Sequence, residues 1–223
     1  MRAPASLLEN QLERFSQRAG RIRQDLYYCD VSAPNHATRE LRVGVRAAAY
    51  VYTAAALEAL VKDCVTGLLQ QLNTKTLSAG QLRLSLLSLI RSPDFDALRD
   101  ASGMRMWVRR AATLESCQDQ HQELFNLAIL PLDGRTIRSG HFESLWSIFG
   151  FEGDPLPSAR HKLALKDLAD ARNDLAHGDV DSREIAGRKD VTSLLRLVAQ
   201  IEDCALHLVA AIDSYLAKDL YLR

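Results

Sequence analysis

An arginine, an asparagine and a histidine lie close together near the end of one predicted helix, in Arg172-Asn173-Asp174-Leu175-Ala176-His177. Arg172 falls on the apolar stripe of that helix, because it recurs at helical spacing with Leu165, Leu168 and Leu175. A guanidinium can stabilise the charge that develops on a phosphate, and an imidazole can transfer protons near neutral pH. These residue types therefore suit metal-free chemistry on a phosphate ester.

The predicted helix that carries these residues begins near His161 and ends at Gly178, a residue typical of a helix C-terminal cap. Asn173 and His177 are four residues apart and share one face. A second Arg–His pair, Arg135 and His141, falls in a glycine-containing loop. We expect no helix to hold that pair, and we assign it no function.

The segment from Arg172 to Gly178 resembles the signature of the HEPN superfamily, in which an arginine and a polar residue precede a histidine. An upstream segment, Leu57-Glu58-Ala59-Leu60-Val61-Lys62, resembles the Leu-Glu-x-x-x-Lys sequence of some HEPN branches. The long helices predicted on either side, at 48–72 and 190–220, fit the same fold.

The resemblance implies a metal-independent endoribonuclease without a cofactor, in which the RNA 2′-hydroxyl attacks the adjacent phosphate and leaves a 2′,3′-cyclic end. It implies catalytic roles for Arg172, Asn173 and His177, with support from Asp174, Glu58 and Lys62. Glu58 lies among small and apolar residues, so its carboxylate needs a partner, and Arg172 and Lys62 are the candidates.

HEPN proteins often act as toxins or anti-phage effectors, so the resemblance also implies an antitoxin or another defence-system protein as a partner. One motif supplies a single histidine, and a homodimer would bring two motifs together across a two-fold axis. The alternative is a non-catalytic HEPN-like module that binds a nucleotide or a protein, because a shared fold does not guarantee activity.

Acidic and basic residues balance at 28 each, so no overall charge attracts the chain to nucleic acid or to a membrane. An RNA site must therefore come from local patterning. Arg39, Arg42 and Arg46 line one face of a helix predicted from Thr38 to Asn73, and we predict that they bind RNA. The alternative is a solvated face paired with nearby acids.

The fold predicted from these patterns is a single all-α domain over 1–223, an antiparallel helix bundle with a helical insertion at 74–160. The insertion should contain helices at 78–91, 94–101 and 104–125. In the last of these, Trp107 lies among Arg105, Arg109 and Arg110, which suits single-stranded nucleic acid or a partly buried tryptophan.

We expect the protein to be cytoplasmic. The N-terminus has no apolar signal core, and the longest apolar run, 47–61, is interrupted by Thr53 and Glu58. The four cysteines are far apart and form no Cys-x-x-Cys pair, as is typical of buried thiols in a reducing compartment.

Overall fold

Nine α-helices and no β-strand are present in residues 7–29, 38–178 and 180–223, the part of the chain that this computed structural model describes. The all-α prediction is confirmed. In chain order the helices are α1 (Leu7–Tyr27), α2 (Arg39–Asn73), α3 (Leu84–Ile90), α4 (Ser92–Arg99), α5 (Gly103–Ser116), α6 (Ser139–Phe149), α7 (Ala159–His177), α8 (Ser182–Gly187) and α9 (Val191–Ala217).

Helix α2 is the centre of the bundle and packs against α1, α7, α8 and α9. It has 35 residues, which corresponds to a length of about 52 Å at the rise of an α-helix. Its buried positions alternate small residues, such as Ala49 and Ala54, with larger ones, such as Leu57 and Leu68. The small side chains let neighbouring helices approach closely, and the larger ones fill the space between them.

The bundle helices alternate in direction along the chain. The side chain of Gln11 donates to the backbone oxygen of Asp63 at 3.0 Å, which places the start of α1 beside the second half of α2. Lys75, just after α2, donates to the hydroxyl of Tyr221, just after α9, at 2.6 Å, so α2 and α9 end together. Helix α7 runs opposite to both, because His161 near its start contacts Asp203 within α9, while Asp167 further along pairs with Lys189 just before α9.

The middle of the chain departs from the predicted helix boundaries. Helix α3 begins only at Leu84, and α5 ends at Ser116 rather than near Phe125. The reason is tertiary backbone pairing: Gly80 N–H donates to the oxygen of Asp119 at 3.1 Å, and Glu123 N–H donates to that of Leu77 at 2.8 Å. Because these backbone groups form hydrogen bonds with another segment, they are not available for the hydrogen bonds of a helix.

Helix α6 joins the middle of the chain to the core. Its Phe142, Leu145 and Phe149 are fully buried, and the Trp146 ring stacks on the His207 ring of α9 with 5.3 Å between centroids. By contrast, α4 has no buried residue and α5 has one, Thr113. Whether 74–160 is an insertion in the HEPN fold stays a prediction, but part of it is integral to this core.

Replacing Leu168, a fully buried residue of α7, should destabilise the fold. We expect Leu168→Ala to lower the free energy of unfolding by about 2–5 kcal/mol, because it removes buried methyl groups and leaves a cavity. Leu163→Ala is the matched control, since Leu163 lies on the same helix and is 66% exposed. Its effect should stay within about 0.5 kcal/mol. Urea unfolding of both variants measures the difference, and equal losses would contradict this assignment of the buried face.

Candidate active site at the end of helix α7

Helix α7 carries the predicted catalytic residues from its buried face to its exposed end. Leu165, Leu168 and Ala169 are fully buried, Arg172 is half-buried one turn later, and His177 is exposed as the last helical residue. Gly178 ends the helix in the left-handed conformation, with φ of 70°, which a glycine adopts without steric cost. The predicted position of Gly178 at the cap is confirmed, and Arg172 is less exposed than His177.

Asn173 is held in one orientation by two donors. Its Oδ1 accepts a hydrogen bond from Thr136 Oγ1 at 2.9 Å and a longer one from Arg172 Nη1 at 3.4 Å. A guanidinium can only donate, so the amide atom that faces it must be the oxygen. The amide nitrogen of Asn173 is therefore the group left to donate to a ligand.

The loop before α6 is attached to α7 at two places one turn apart. Besides the bond from Thr136 to Asn173, Arg138 Nη2 forms an ion pair with Asp170 Oδ1 at 2.7 Å. Asp170 also accepts from Lys166 at 2.8 Å. The hydrogen bond from Lys166, followed by that from Arg138, lowers the pKa of the Asp170 carboxyl below its ordinary value.

The second Arg–His pair has a structural role that the sequence prediction missed. His141 lies in the first turn of α6, whereas Arg135 lies in the loop before it, so no helix holds the two residues together. Its Nδ1 accepts from the Arg138 backbone N–H at 3.0 Å, and its Nε2 contacts Asp133 Oδ1 at 2.8 Å. Because Nδ1 is an acceptor, the hydrogen of the ring is on Nε2, which donates a hydrogen bond to the carboxylate. This bond folds the loop that presents Thr136 and Arg138 to α7.

Asp174, the predicted supporting residue, connects α7 to the segment after it. Its carboxylate accepts from Arg188 Nη1 at 2.8 Å, and this hydrogen bond raises the pKa of the Arg188 guanidinium. Two turns earlier on α7, Asp167 forms an ion pair with Lys189 at 3.0 Å. These two bonds fix the start of the α8–α9 connection against the end of the motif helix.

Glu58 and Lys62 lie away from this end of α7. Asp167 contributes to raising the pKa of the Tyr50 hydroxyl, after burial, which places Asp167 beside Tyr50 of α2. Glu58 lies eight residues further along α2, or about 12 Å, toward the opposite end of the bundle. The expected ion pairs of Glu58 with Arg172 or Lys62 are not formed among the described residues, and Glu58 Oε1 is buried without a hydrogen-bond partner.

A groove next to the motif gathers four arginines. Arg39, Arg42 and Arg46 line it from the start of α2, and Arg183 lines it from α8, in a volume of about 390 Å³ that also contacts Glu40. Arg46 lies near the start of α9, because its charge helps lower the pKa of Asp190, after the hydrogen bonds from Ser193 and the charge of Arg196. Helix α8 links this groove to the motif, because Arg188 follows it and binds Asp174. The sequence predicted the three arginines of α2 but not Arg183.

Removing the Asp170 carboxylate should reduce the loss of stability in acid. A carboxyl whose folded pKa is lowered contributes stability above its unfolded pKa, about 3.9, and loses it as pH falls through the folded value. Asp170→Asn should therefore lower the urea midpoint at pH 6 and show a smaller further decrease toward pH 3 than the wild type. Asp63→Asn, at an exposed carboxylate of α2, is the control. An identical pH profile in wild type and Asp170→Asn would contradict the anchoring role.

Comparison with known proteins identifies a family for this chain. The model of the MAE_28990-like HEPN family matches residues 6–221. No curated protein and no solved structure is significantly similar to the chain. Within the described ranges, no helix is long and apolar enough to cross a membrane, and no group of three or more His, Cys, Asp or Glu side chains is placed to hold a metal ion. From its match over nearly the whole length, the chain belongs to the HEPN superfamily.

Proposed function

We propose that this HEPN protein is a metal-independent endoribonuclease that cleaves RNA at the end of α7. Support comes from one observation: a half-buried Arg172, an oriented Asn173 amide and an exposed His177 occupy two consecutive turns of one helix. The five-residue offset separates Arg172 and His177 by about 140° around the helix and about 7.5 Å along it. In this proposal a phosphate group binds between the two side chains.

The reaction assigns a separate task to each side chain. A base removes the proton of the RNA 2′-hydroxyl, whose oxygen attacks the adjacent phosphorus. Arg172 stabilises the negative charge on the non-bridging oxygens, and Asn173 Nδ2 donates to one of them. His177 donates a proton to the departing 5′-oxygen. The products are a 2′,3′-cyclic phosphate and a 5′-hydroxyl.

The base comes from a second copy in this proposal. One chain supplies one motif histidine, and acid–base cleavage of this kind needs two proton-transferring groups. In a homodimer with the α7 ends near a two-fold axis, His177 of the partner subunit takes the proton that the 2′-hydroxyl loses. A role as a toxin or anti-phage effector, with an antitoxin or another defence-system partner, follows from the superfamily and belongs to the same proposal.

Substitution of the motif residues tests the chemistry. We expect His177→Ala and Arg172→Ala each to lower RNA cleavage by about a hundredfold or more, because each removes a group that acts in the transition state. The melting temperature of His177→Ala should match the wild type, since His177 is exposed. Arg172→Lys keeps a cation at the half-buried position and controls for loss of folding. His121→Ala, at another exposed histidine, is the matched control.

Product ends, pH dependence and chelation complete the experiment. Cleavage should persist in EDTA, yield cyclic phosphate ends, and show a bell-shaped rate profile near neutral pH. Mixing Arg172→Ala with His177→Ala protein should restore part of the activity if each site draws on both chains. The mechanism would be overturned if both single variants retain cleavage or if EDTA abolishes it. A cleavage rate that rises steadily to pH 9 would also overturn it.

The arginine groove extends the proposed site along the RNA. Arg39, Arg42 and Arg183 form no ion pair within the described residues, so their charges are available to phosphates. We expect Arg42→Gln and Arg183→Gln each to weaken RNA binding for all sequences alike, and each to lower the slope of log affinity against log salt by about one.

Arg14→Gln, at an exposed arginine of α1, is the control for the groove variants. Electrophoretic mobility shift or fluorescence anisotropy with a single-stranded RNA, at several salt concentrations, measures the slope. An unchanged slope in both groove variants would remove the groove from the RNA path and leave the cleavage mechanism untouched.

A non-catalytic binding module is the second candidate, and one observation favours it. Asn173 and Asp174 both hold neighbouring segments, through Thr136 and Arg188, so the motif also has a structural role. In that case the groove would bind a nucleotide or a protein without chemistry. Binding of RNA by the wild type without any cleavage, together with unfolding of Arg172→Ala and Arg172→Lys, would favour the module.

A further inference from the structure

Helix α5 presents an apolar stripe to solvent. Met104, Trp107, Val108 and Leu114 are 79%, 59%, 69% and 71% exposed, and Ala111 between them is exposed too. Of the two alternatives for Trp107, the structure shows a side chain that is mostly exposed and has the Arg110 guanidinium over its ring. The opposite face of α5 packs on α4, where Thr113 is buried and Arg109 Nη1 donates to the backbone oxygen of Ala97 at 2.8 Å.

The stripe follows the heptad spacing of a helix that pairs with another helix. Met104 and Ala111 occupy the a positions, and Trp107 and Leu114 occupy the d positions of two heptads. An a/d surface of this kind is normally covered by a partner helix, because exposing it to water is unfavourable. Within the described residues, α4 is the helix that packs closely on α5.

Two unpaired charges on α5 indicate which helix covers it. In the same register Arg110 occupies a g position and Glu115 the following e position. Neither forms an ion pair within the described chain; the Arg110 guanidinium instead lies over the Trp107 ring, 4.9 Å from its centroid. In a parallel pair of identical helices, each g residue faces the e residue five positions later on the partner. Arg110 and Glu115 have this spacing and opposite charge.

We propose that α5 is a homodimer interface, in which two copies of the chain pair their α5 helices in parallel about a two-fold axis. Two Arg110–Glu115 ion pairs flank the shared stripe of Met104, Trp107, Ala111 and Leu114. An antiparallel pair would place arginine opposite arginine at the g positions, so the charges select the parallel arrangement. The proposal is independent of the nuclease, because α5 carries none of the residues assigned to cleavage.

Charge reversal tests the interface directly. Arg110→Glu and Glu115→Arg should each weaken dimerisation by about tenfold or more, because like charges then face each other twice. The double variant, Arg110→Glu with Glu115→Arg, restores opposite charges and should restore the dimer. Sedimentation velocity or light scattering across a dilution series measures the mass against the 24.8 kDa of one chain. Circular dichroism checks that each variant is folded.

Tryptophan fluorescence supplies a second readout. The chain has two tryptophans, and Trp146 is buried in the core while Trp107 is exposed. The emission of Trp107 should shift to shorter wavelength as the dimer forms, and Trp107→Phe should remove that shift. Arg105→Glu is the matched control, since Arg105 lies outside the a, d, e and g positions.

The result distinguishes this interface from the dimer proposed at the motif. If both form, the wild type is a tetramer or a larger assembly, and single charge reversal reduces it to the dimer at the motif, twice the 24.8 kDa of one chain, with RNA cleavage per chain unchanged. A chain that stays monomeric at all concentrations overturns the α5 interface, and so does a dimer that both single reversals leave intact. If the double variant fails to associate, as the single variants do, the α5 interface is also overturned. That result would mean that the stripe binds RNA, lipid or an unrelated protein, because exchanging the two charges restores only the pairing of two identical helices.

Discussion

Burial of one face of α7 against α2 and α9 fixes the position of every side chain at the candidate site. Leu165, Leu168 and Ala169 are removed from water, and the free energy of that burial sets the rotation of the helix about its axis. Once this rotation is set, Arg172 must lie at the edge of the core and His177 must lie outside it. A guanidinium at such an edge keeps its charge while its aliphatic part packs, which limits its motion.

Hydrogen bonds and ion pairs then fix the positions of the side chains that burial determines only approximately. The loop before α6 reaches α7 through Thr136 and Arg138, while Arg188 and Lys189 reach it from the other side. The motif end is thus held between two segments distant in sequence. Side chains supported in this way have fewer accessible rotamers, and a site with fixed donors loses less entropy when it binds a charged group.

Much of the fold could be predicted from the sequence because it depends on periodicity. The apolar stripes of α2, α7 and α9 are long, and Gly178 marks the end of α7 by its chemistry alone. The ends of α3 and α5 could not be predicted, because backbone bonds between 77–80 and 119–123 depend on tertiary placement. The same holds for the pairing of Thr136 with Asn173, 37 residues apart. Arg183 gave no signal, since a single arginine on a short helix has no periodic context.

Helices α4 and α5 bury few residues, and this affects how their surface can change during evolution. These helices contribute a single buried residue, Thr113, whereas α6 contributes four. Substitutions on the hairpin formed by α4 and α5 therefore leave the packing of the core unaltered, and most have little effect on folding. Selection can remodel what the hairpin contacts without first acquiring compensating changes elsewhere. The α7 end has less of this freedom, because Asp170, Asn173 and Asp174 there also bind neighbouring segments.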